Sequence, residues 1–266
     1  MSQISHLAWA PIKQTDGLLE IHSTTGRLRW SARSSFLLPA NIHLYLVRHG
    51  ETHANQMQIF QGSDYETEWT QLSEKGHMQS RAAGELLVQK IKKERPLCSI
   101  KVISSPAERA KQTAAYFLKC NPSFSLQFEI FDCLNEIKFG DMTGKTLEQI
   151  CALSPQHDRF IYEYRRQGNA QISAGGSESF VDVLTRVYAG LKTWLPTLKV
   201  SQEPQVCVMF THMITAGAVR TLLGDQTLLE QDAQTGPFIR WRQVLANAEP
   251  HVWDLAKRIF KKVVAE

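Results

Sequence analysis

From Ile42 onward, short apolar runs alternate with longer amphipathic stretches. The runs IHLYLV (42–47), IKVISS (100–105), LQFEIF (126–131) and QVCVMF (205–210) are bounded by turn-forming residues. Continuous short runs of this kind are the pattern of strands covered on both faces. Between them lie helical segments. LSEKGHMQSRAAGELLVQKIKKE (72–94) carries Met78, Ala82, Leu86 and Ile91 at helical spacing, with Ser73 placed as N-cap. PAERAKQTAAYFLKC (106–120) opens with Pro106 in its first turn. TLEQICAL, QHDRFIYEYRRQG, SESFVDVLTRVYAGLKTWL (177–195) and ITAGAVRTLLG complete the helical set. HVWDL and RIFKKVV near the end read as a closing pair of edge strands in preference to one basic helix. The alternation predicts an α/β fold, a three-layer sandwich with a mostly parallel central sheet flanked by helices. Residues 1–40 differ. DGLLEIHSTTGRLRWSA holds two alternating stretches around a polar turn, which predicts a hairpin. The chain is therefore divided into an N-terminal extension, 1–40, leaning on a main domain, 41–266.

Composition adds limits. The 266 residues are 43% hydrophobic, enough to fill the core of one large domain. A net charge of +4 is too weak to argue for nucleic acid and suits a small anionic substrate. The basic tail with Lys257, Arg258, Lys261 and Lys262 reads as a solvated face. The five cysteines are odd in number and none is spaced as a metal knuckle or redox pair, so reduced structural thiols in a cytoplasm are expected. Cys207, inside an apolar run, is placed in the core. No secretory leader or membrane span is read, and oligomeric state stays open.

In open parallel sheets the ligand site lies beyond the carboxyl ends of the strands. The first strand exits into Arg48-His49-Gly50. The second exits into Ser104-Ser105-Pro106, with Arg109 one turn into the next helix. The third leads to Leu134-Asn135-Glu136, and the fourth ends in Thr211-His212. Singly, each has an ordinary reading: a solvated loop pair, a surface arginine bonded to Glu108 or Asp132, an exposed carboxylate, a core histidine. Jointly they place two arginines, two histidines and a glutamate at equivalent positions. Arginine forks match phosphate oxygens in pairs. One neutral imidazole can attack phosphorus in line, and a carboxylic acid can protonate the leaving oxygen. No metal-ligand spacing is present, and neither metal nor cofactor is expected.

These motifs resemble the histidine phosphatase superfamily, the group that includes phosphoglycerate mutases and fructose-2,6-bisphosphatase. RHGETHAN, SSPAERAKQTA, LNEIKFGDMTGKT, GGSESFVDVLTRV and FTHMITAGAVRTLLG follow its motif order from about Ile42 to about Leu255. The resemblance implies His49 as the phosphohistidine. It implies Arg48, Arg109 and His212 as phosphoryl ligands and Glu136 as proton donor. Asn55 is implied to line the phosphate pocket, and Thr52, Gln61 and Gly62 to reach the substrate. The chain departs from the pattern in its extension and in the segment 63–71, read as a lid. Glu66 and Glu68 of that segment either face inward and repel an anion or face water. Met213 stands where the family often has glycine. Ile137-Lys138-Phe139-Gly140 replaces the arginine-containing segment usual after the glutamate in mutases, which favours hydrolysis. The expectation is a metal-independent phosphatase acting on a small phosphorylated substrate through His49. A phosphoglycerate mutase-like isomerase and a non-catalytic phosphate-binding module are the alternatives.

Overall fold

The computed structural model describes residues 8–32, 38–39, 41–96, 98–120, 127–198, 205–241 and 245–265. Leu126, the first residue of the third predicted strand, lies outside them. Three short strands come first, β1 (Trp9–Pro11), β2 (Leu19–His22) and β3 (Leu28–Trp30). β2 and β3 form the antiparallel hairpin read from the sequence. A central sheet follows, built from β4 (Ile42–Arg48), β5 (Ser99–Ser104), β6 (Phe128–Ile130) and β7 (Gln205–Thr211). Two further strands, β8 (Leu229–Asp232) and β9 (Gly236–Ile239), precede the closing pair β10 (Pro250–Asp254) and β11 (Ile259–Lys262). The central sheet runs β11-β10-β4-β7-β5-β6, with its last four strands mutually parallel.

The sheet is covered on both sides. On one face, Tyr45, Val47, Val208 and Phe210 pack against α2 (Glu74–Glu94) and α3 (Glu108–Lys119) through Leu87, Val88, Ala114 and Phe117. On the other, Leu44, Leu46, Cys207 and Met209 meet α6 (Phe180–Trp194) and α7 (Met213–Leu223). All seven residues of β7 are buried, as a strand in the middle of three layers must be. Full burial of a side chain such as Leu87 contributes about 1.5–3 kcal/mol.

Two details differ from the sequence reading. The buried stripe of α2 is Gly76, Ser80, Ala83, Gly84, Leu87, Val88 and Ile91, while Met78 is 67% exposed. Small residues face inward because α2 packs backbone to backbone: an added Cβ on Gly84 would sit 3.1 Å from the chain at Phe117. Pro106 precedes the helix, whose first residue is Glu108. Ser105 Oγ accepts from the N–H of Ala107 there.

The N-terminal strands do more than lean on the sheet's surroundings. β3 pairs with β9, giving a second, antiparallel sheet in the order β1-β2-β3-β9-β8. Leu19, Ile21 and Leu28 from it join the same apolar cluster as α6 and α7. The remaining helices are α1 (His53–Gln56), α4 (Leu147–Leu153) and α5 (Pro155–Tyr162). α5 runs into a π-helical turn, Glu163–Gln167, which ends at Gly168 with φ 71°. No helix of the described residues is long and apolar enough to cross a membrane.

Candidate active site

Register brings the strand exits level. Arg48 pairs with Thr211 across β4 and β7, and Ser104 with Phe210 across β5 and β7. The pairing continues past the strands: His49 N donates to Thr211 O at 3.0 Å and Ser105 N to Phe210 O at 2.9 Å. Residues distant in sequence therefore leave the sheet side by side. Gly50 lets this happen. An added Cβ there would sit 2.5 Å from Gly76 O and from Ser80 Oγ, so only glycine allows the turn to press onto the first turn of α2.

The imidazoles of His49 and His212 lie with ring centroids 5.1 Å apart, both buried. His49 Nδ1 is 2.7 Å from Gly50 O. A carbonyl only accepts, so this contact places the ring's hydrogen on Nδ1 and leaves a lone pair on Nε2. His212 Nε2 lies 2.7 Å from Ser105 Oγ, whereas its Nδ1 is buried without a protein partner. Arg48 Nη1 donates to Leu245 O at 3.0 Å, and Arg109 Nη2 to Gly62 O at 2.8 Å. Arg48 Nε, Arg109 Nε and Arg109 Nη1 are, like His212 Nδ1, buried and without a hydrogen-bond partner. Four buried nitrogens in this condition carry a large desolvation cost, which an oxyanion with several lone pairs offsets.

Glu136 is 9% exposed and lines the same cavity as Arg48, His49 and Arg109. Its Oε2 accepts from Ile214 N, and its Oε1 from Ile137 N and Thr215 N. The first turn of α7 thus fixes the carboxyl group's rotamer. Arg186 holds the loop beneath: its Nη1 donates to Cys133 O at 2.7 Å and its Nη2 to Glu136 O at 3.0 Å, while Glu178 pairs with its Nε.

The cavity encloses about 480 Å³. Asn55, Gln61 and Gly62 line it. Gly62 acts through its carbonyl, which positions Arg109. Thr52 is fully buried and does not line the cavity; its hydroxyl accepts from Asn55 N and caps α1. Thr52 thus supports Asn55, which lines the cavity. Arg109 pairs with neither Glu108 nor Asp132. Its partner is Glu66 of the 63–71 segment, with Glu66 Oε1 3.5 Å from Nη1. Glu68 is exposed, and Lys138 extends toward Asp64 at 3.9 Å. Sequence reasoning missed Asn247, whose Nδ2 donates to His49 O and to Asn55 Oδ1, and Ala248, whose N–H donates to Arg48 O. It also missed Arg186. Nothing local in the sequence marks Asn247; Arg186 had only its place on the helix after GGSES.

Burial, reinforced by Arg109 and Arg48, pushes the His49 imidazole well below its ordinary pKa. Burial does the same to His212, with Arg109, His49, Arg186 and Arg48 adding to it. Both rings are thus neutral at pH 7. Desolvation also weakens the proton affinity of Arg48, which Glu136 opposes, and of Arg109, which Glu66 and Glu136 oppose.

A family model, histidine phosphatase superfamily (branch 1), matches residues 44–234. The chain is 34% identical over 112 residues to the Xenopus laevis fructose-2,6-bisphosphatase TIGAR, covering 42% of this chain and 37% of that one. It is 29% identical over 190 residues to a probable phosphoglycerate mutase GpmB of Salmonella paratyphi C, covering 69% and 75%. The chain spans only about a third to a half of the length of the two TIGAR relatives it matches. Among solved structures, a mycobacterial glucosyl-3-phosphoglycerate phosphatase complexed with VO3 aligns with a TM-score of 0.59 at 24% identity, over 80% of this chain and 92% of that one. A putative α-ribazole-5'-P phosphatase from Escherichia coli aligns with the same TM-score at 20% identity, over 83% and 94%. These likenesses give the fold, and the match over 44–234 gives the family: the chain belongs to the histidine phosphatase superfamily.

Proposed function

We propose that the protein is a metal-independent phosphatase that hydrolyses a small phosphomonoester through a phosphohistidine on His49. The observation that carries this reading is that His49, with its lone pair on Nε2, lines one cavity with Arg48, Arg109 and Glu136 and has its ring centroid 5.1 Å from that of His212, while Arg48 Nε, Arg109 Nε and His212 Nδ1 are buried without a protein partner. The substrate's phosphoryl group accepts from Arg48, Arg109 and His212. With the Ser105 hydroxyl hydrogen on the 2.7 Å contact to His212 Nε2, the ring's own hydrogen sits on Nδ1 and donates to that group. His49 Nε2 attacks phosphorus, the bond to the ester oxygen breaks, and Glu136 protonates the departing alkoxide. Glu136, now a carboxylate, takes a proton from water. The water oxygen attacks phosphorus, the P–N bond breaks, and phosphate and free imidazole result. The arginines stabilise charge on the equatorial oxygens throughout.

Hydrolysis is favoured over isomerisation by the segment Ile137-Lys138-Phe139-Gly140, which stands after the glutamate where the mutases resembled here carry an arginine-containing segment. The five free cysteines agree with a reducing, cytoplasmic setting. Rapid-quench incubation with a ³²P-labelled ester, with chelator present, tests the mechanism. An acid-labile, alkali-stable label on the wild-type protein that is absent from His49→Ala is expected. Near-normal turnover by His49→Ala overturns the assignment.

A further inference from the structure

The phosphoryl cradle accounts for only part of the cavity lining. The rest of the lining is mainly apolar, Ile59, Phe60, Phe139, Leu147, Tyr164 and Met213, with Gln58 and Gln61 among them. Its geometry is fixed by the fold. Residues 59 and 60 lie along the 144–146 segment: Ile59 bridges Thr146, Gly144 N donates to Phe60 O at 2.8 Å, and Phe60 N to Lys145 O at 3.0 Å. Phe60 and Phe139 meet edge to face with centroids 4.8 Å apart. Tyr164 comes from the π-helical turn after α5, and Met213 directly follows His212. Outside the cradle, Arg165 is the only charged side chain lining the cavity among the described residues, and it is exposed.

Resting on the phosphatase reading, we infer that the substrate is a monophosphate ester whose organic group is apolar, aryl or branched alkyl, and not a bisphosphate or a hydroxyl-rich sugar phosphate. A second phosphate needs its own cluster of donors, and one exposed arginine does not supply it. A sugar's several hydroxyls find the amides of Asn55, Gln58 and Gln61, but those that fall against Phe60, Phe139 and Met213 lose water without gaining partners. An apolar group, by contrast, gains about fourfold in affinity for each methylene it buries there. The cavity volume lies within the usual range for small-molecule sites, on the order of 300–1,000 Å³. The fructose-2,6-bisphosphatase relatives therefore do not lend this chain their substrate.

Two measurements test this. Calorimetric titration of the wild-type protein with methylphosphonate, hexylphosphonate and benzylphosphonate reads the wall without turnover. The longer phosphonates are expected to bind more tightly by about tenfold or more. In parallel, kcat/KM is compared for hexyl phosphate, benzyl phosphate, glycerol 3-phosphate and fructose 1,6-bisphosphate, all esters of alcohols. The first two are expected to lead by about tenfold or more, although their leaving groups are no better. Met213→Ser, and Leu147→Ser at the more exposed rim, are expected to cut the hexyl-to-glycerol ratio by roughly threefold or more. Equal phosphonate affinities, a bisphosphate or glycerol phosphate processed as well as hexyl phosphate, or a ratio unmoved by both variants overturns the inference. Failure of the phosphatase reading looks different: no ester turns over and no histidine is labelled, whatever the phosphonates do.

Discussion

Glu66 occupies the charge position that a substrate oxygen needs. Its Oε1 lies 3.5 Å from Arg109 Nη1, a nitrogen buried and otherwise without a partner. Thr70 Oγ1 donates to the other oxygen, and Glu108 N donates to Oε1, so the carboxylate is held in place. A phosphate dianion entering the cradle either displaces Glu66 from Arg109 or sits beside it and is repelled. Both routes make Glu66 oppose binding. At 3.5 Å and an effective dielectric of about 20, the charge–charge energy is about 5 kcal/mol. The side chain of Glu66 is 42% exposed, so solvent screening reduces this to about 1 kcal/mol, or roughly fivefold in affinity. Glu66→Gln keeps an oxygen for Thr70 and the Glu108 amide while removing the charge. Inhibition constants for inorganic phosphate and vanadate are expected to fall by about three- to tenfold in this variant. Glu68→Gln, which removes an equal charge from a neighbouring exposed position, is expected to change them by less than about twofold. Unchanged or weaker inhibition in Glu66→Gln refutes the reasoning, because it means that Glu66 orients Arg109 instead of competing for it.

Glu136→Gln is expected to slow alkyl phosphates by about 10²–10⁴-fold and activated aryl phosphates far less, since only the former need a proton on the leaving oxygen; equal slowing removes the acid role. Gly76→Ala tests the close approach beneath the Arg48-His49 turn. An alanine Cβ would lie 1.9 Å from Glu51 O, so a substitution that normally favours a helix is expected to lower stability by about 1–3 kcal/mol, read from denaturant midpoints. A neutral or stabilising outcome is incompatible with that contact. The pH dependence of stability follows from His49 and His212, whose pKa values are lowered in the folded state. Below about pH 6.5 the unfolded chain binds protons that the folded chain does not. Their stabilising contribution is therefore complete above that pH and lost as pH falls, at up to about 1.4 kcal/mol per pH unit for each ring. Urea titrations between pH 5 and 8 are expected to show this slope, and His49→Gln to reduce it by one proton's worth; an unaltered slope contradicts the burial of a neutral His49.

The strand exits were legible because one short motif per strand carried them and the sheet's register did the rest. IHLYLV and QVCVMF each mark a buried strand by composition alone, and parallel pairing then sets Arg48 level with Thr211. The inner face of α2 was not legible. Hydrophobicity pointed to Met78, but the helix packs through Gly76, Ser80 and Gly84, whose value lies in their small size against a neighbouring backbone. Nor did the sequence show where the N-terminal hairpin goes. The partner of β3 is β9, roughly two hundred residues away, and nothing in either strand names the other.

The site divides along the same line. Its cradle comes from residues whose chemistry is conspicuous in any context: arginine, histidine and a glutamate at the ends of strands. Its outer wall comes from Phe60, Phe139 and Met213, residue types that in a sequence read as ordinary core. They line the cavity together with Ile59, which bridges Thr146, and Tyr164, which lies in the π-helical turn at Glu163–Gln167. The proposed reaction type thus rests on polar residues near the sheet. The inferred substrate class rests on apolar residues whose place in the cavity is decided by loop geometry. Glu66 belongs to the second kind as well. Its charge is visible in the sequence, but whether it faces water or Arg109 is settled by where Thr70 and the start of α3 hold it.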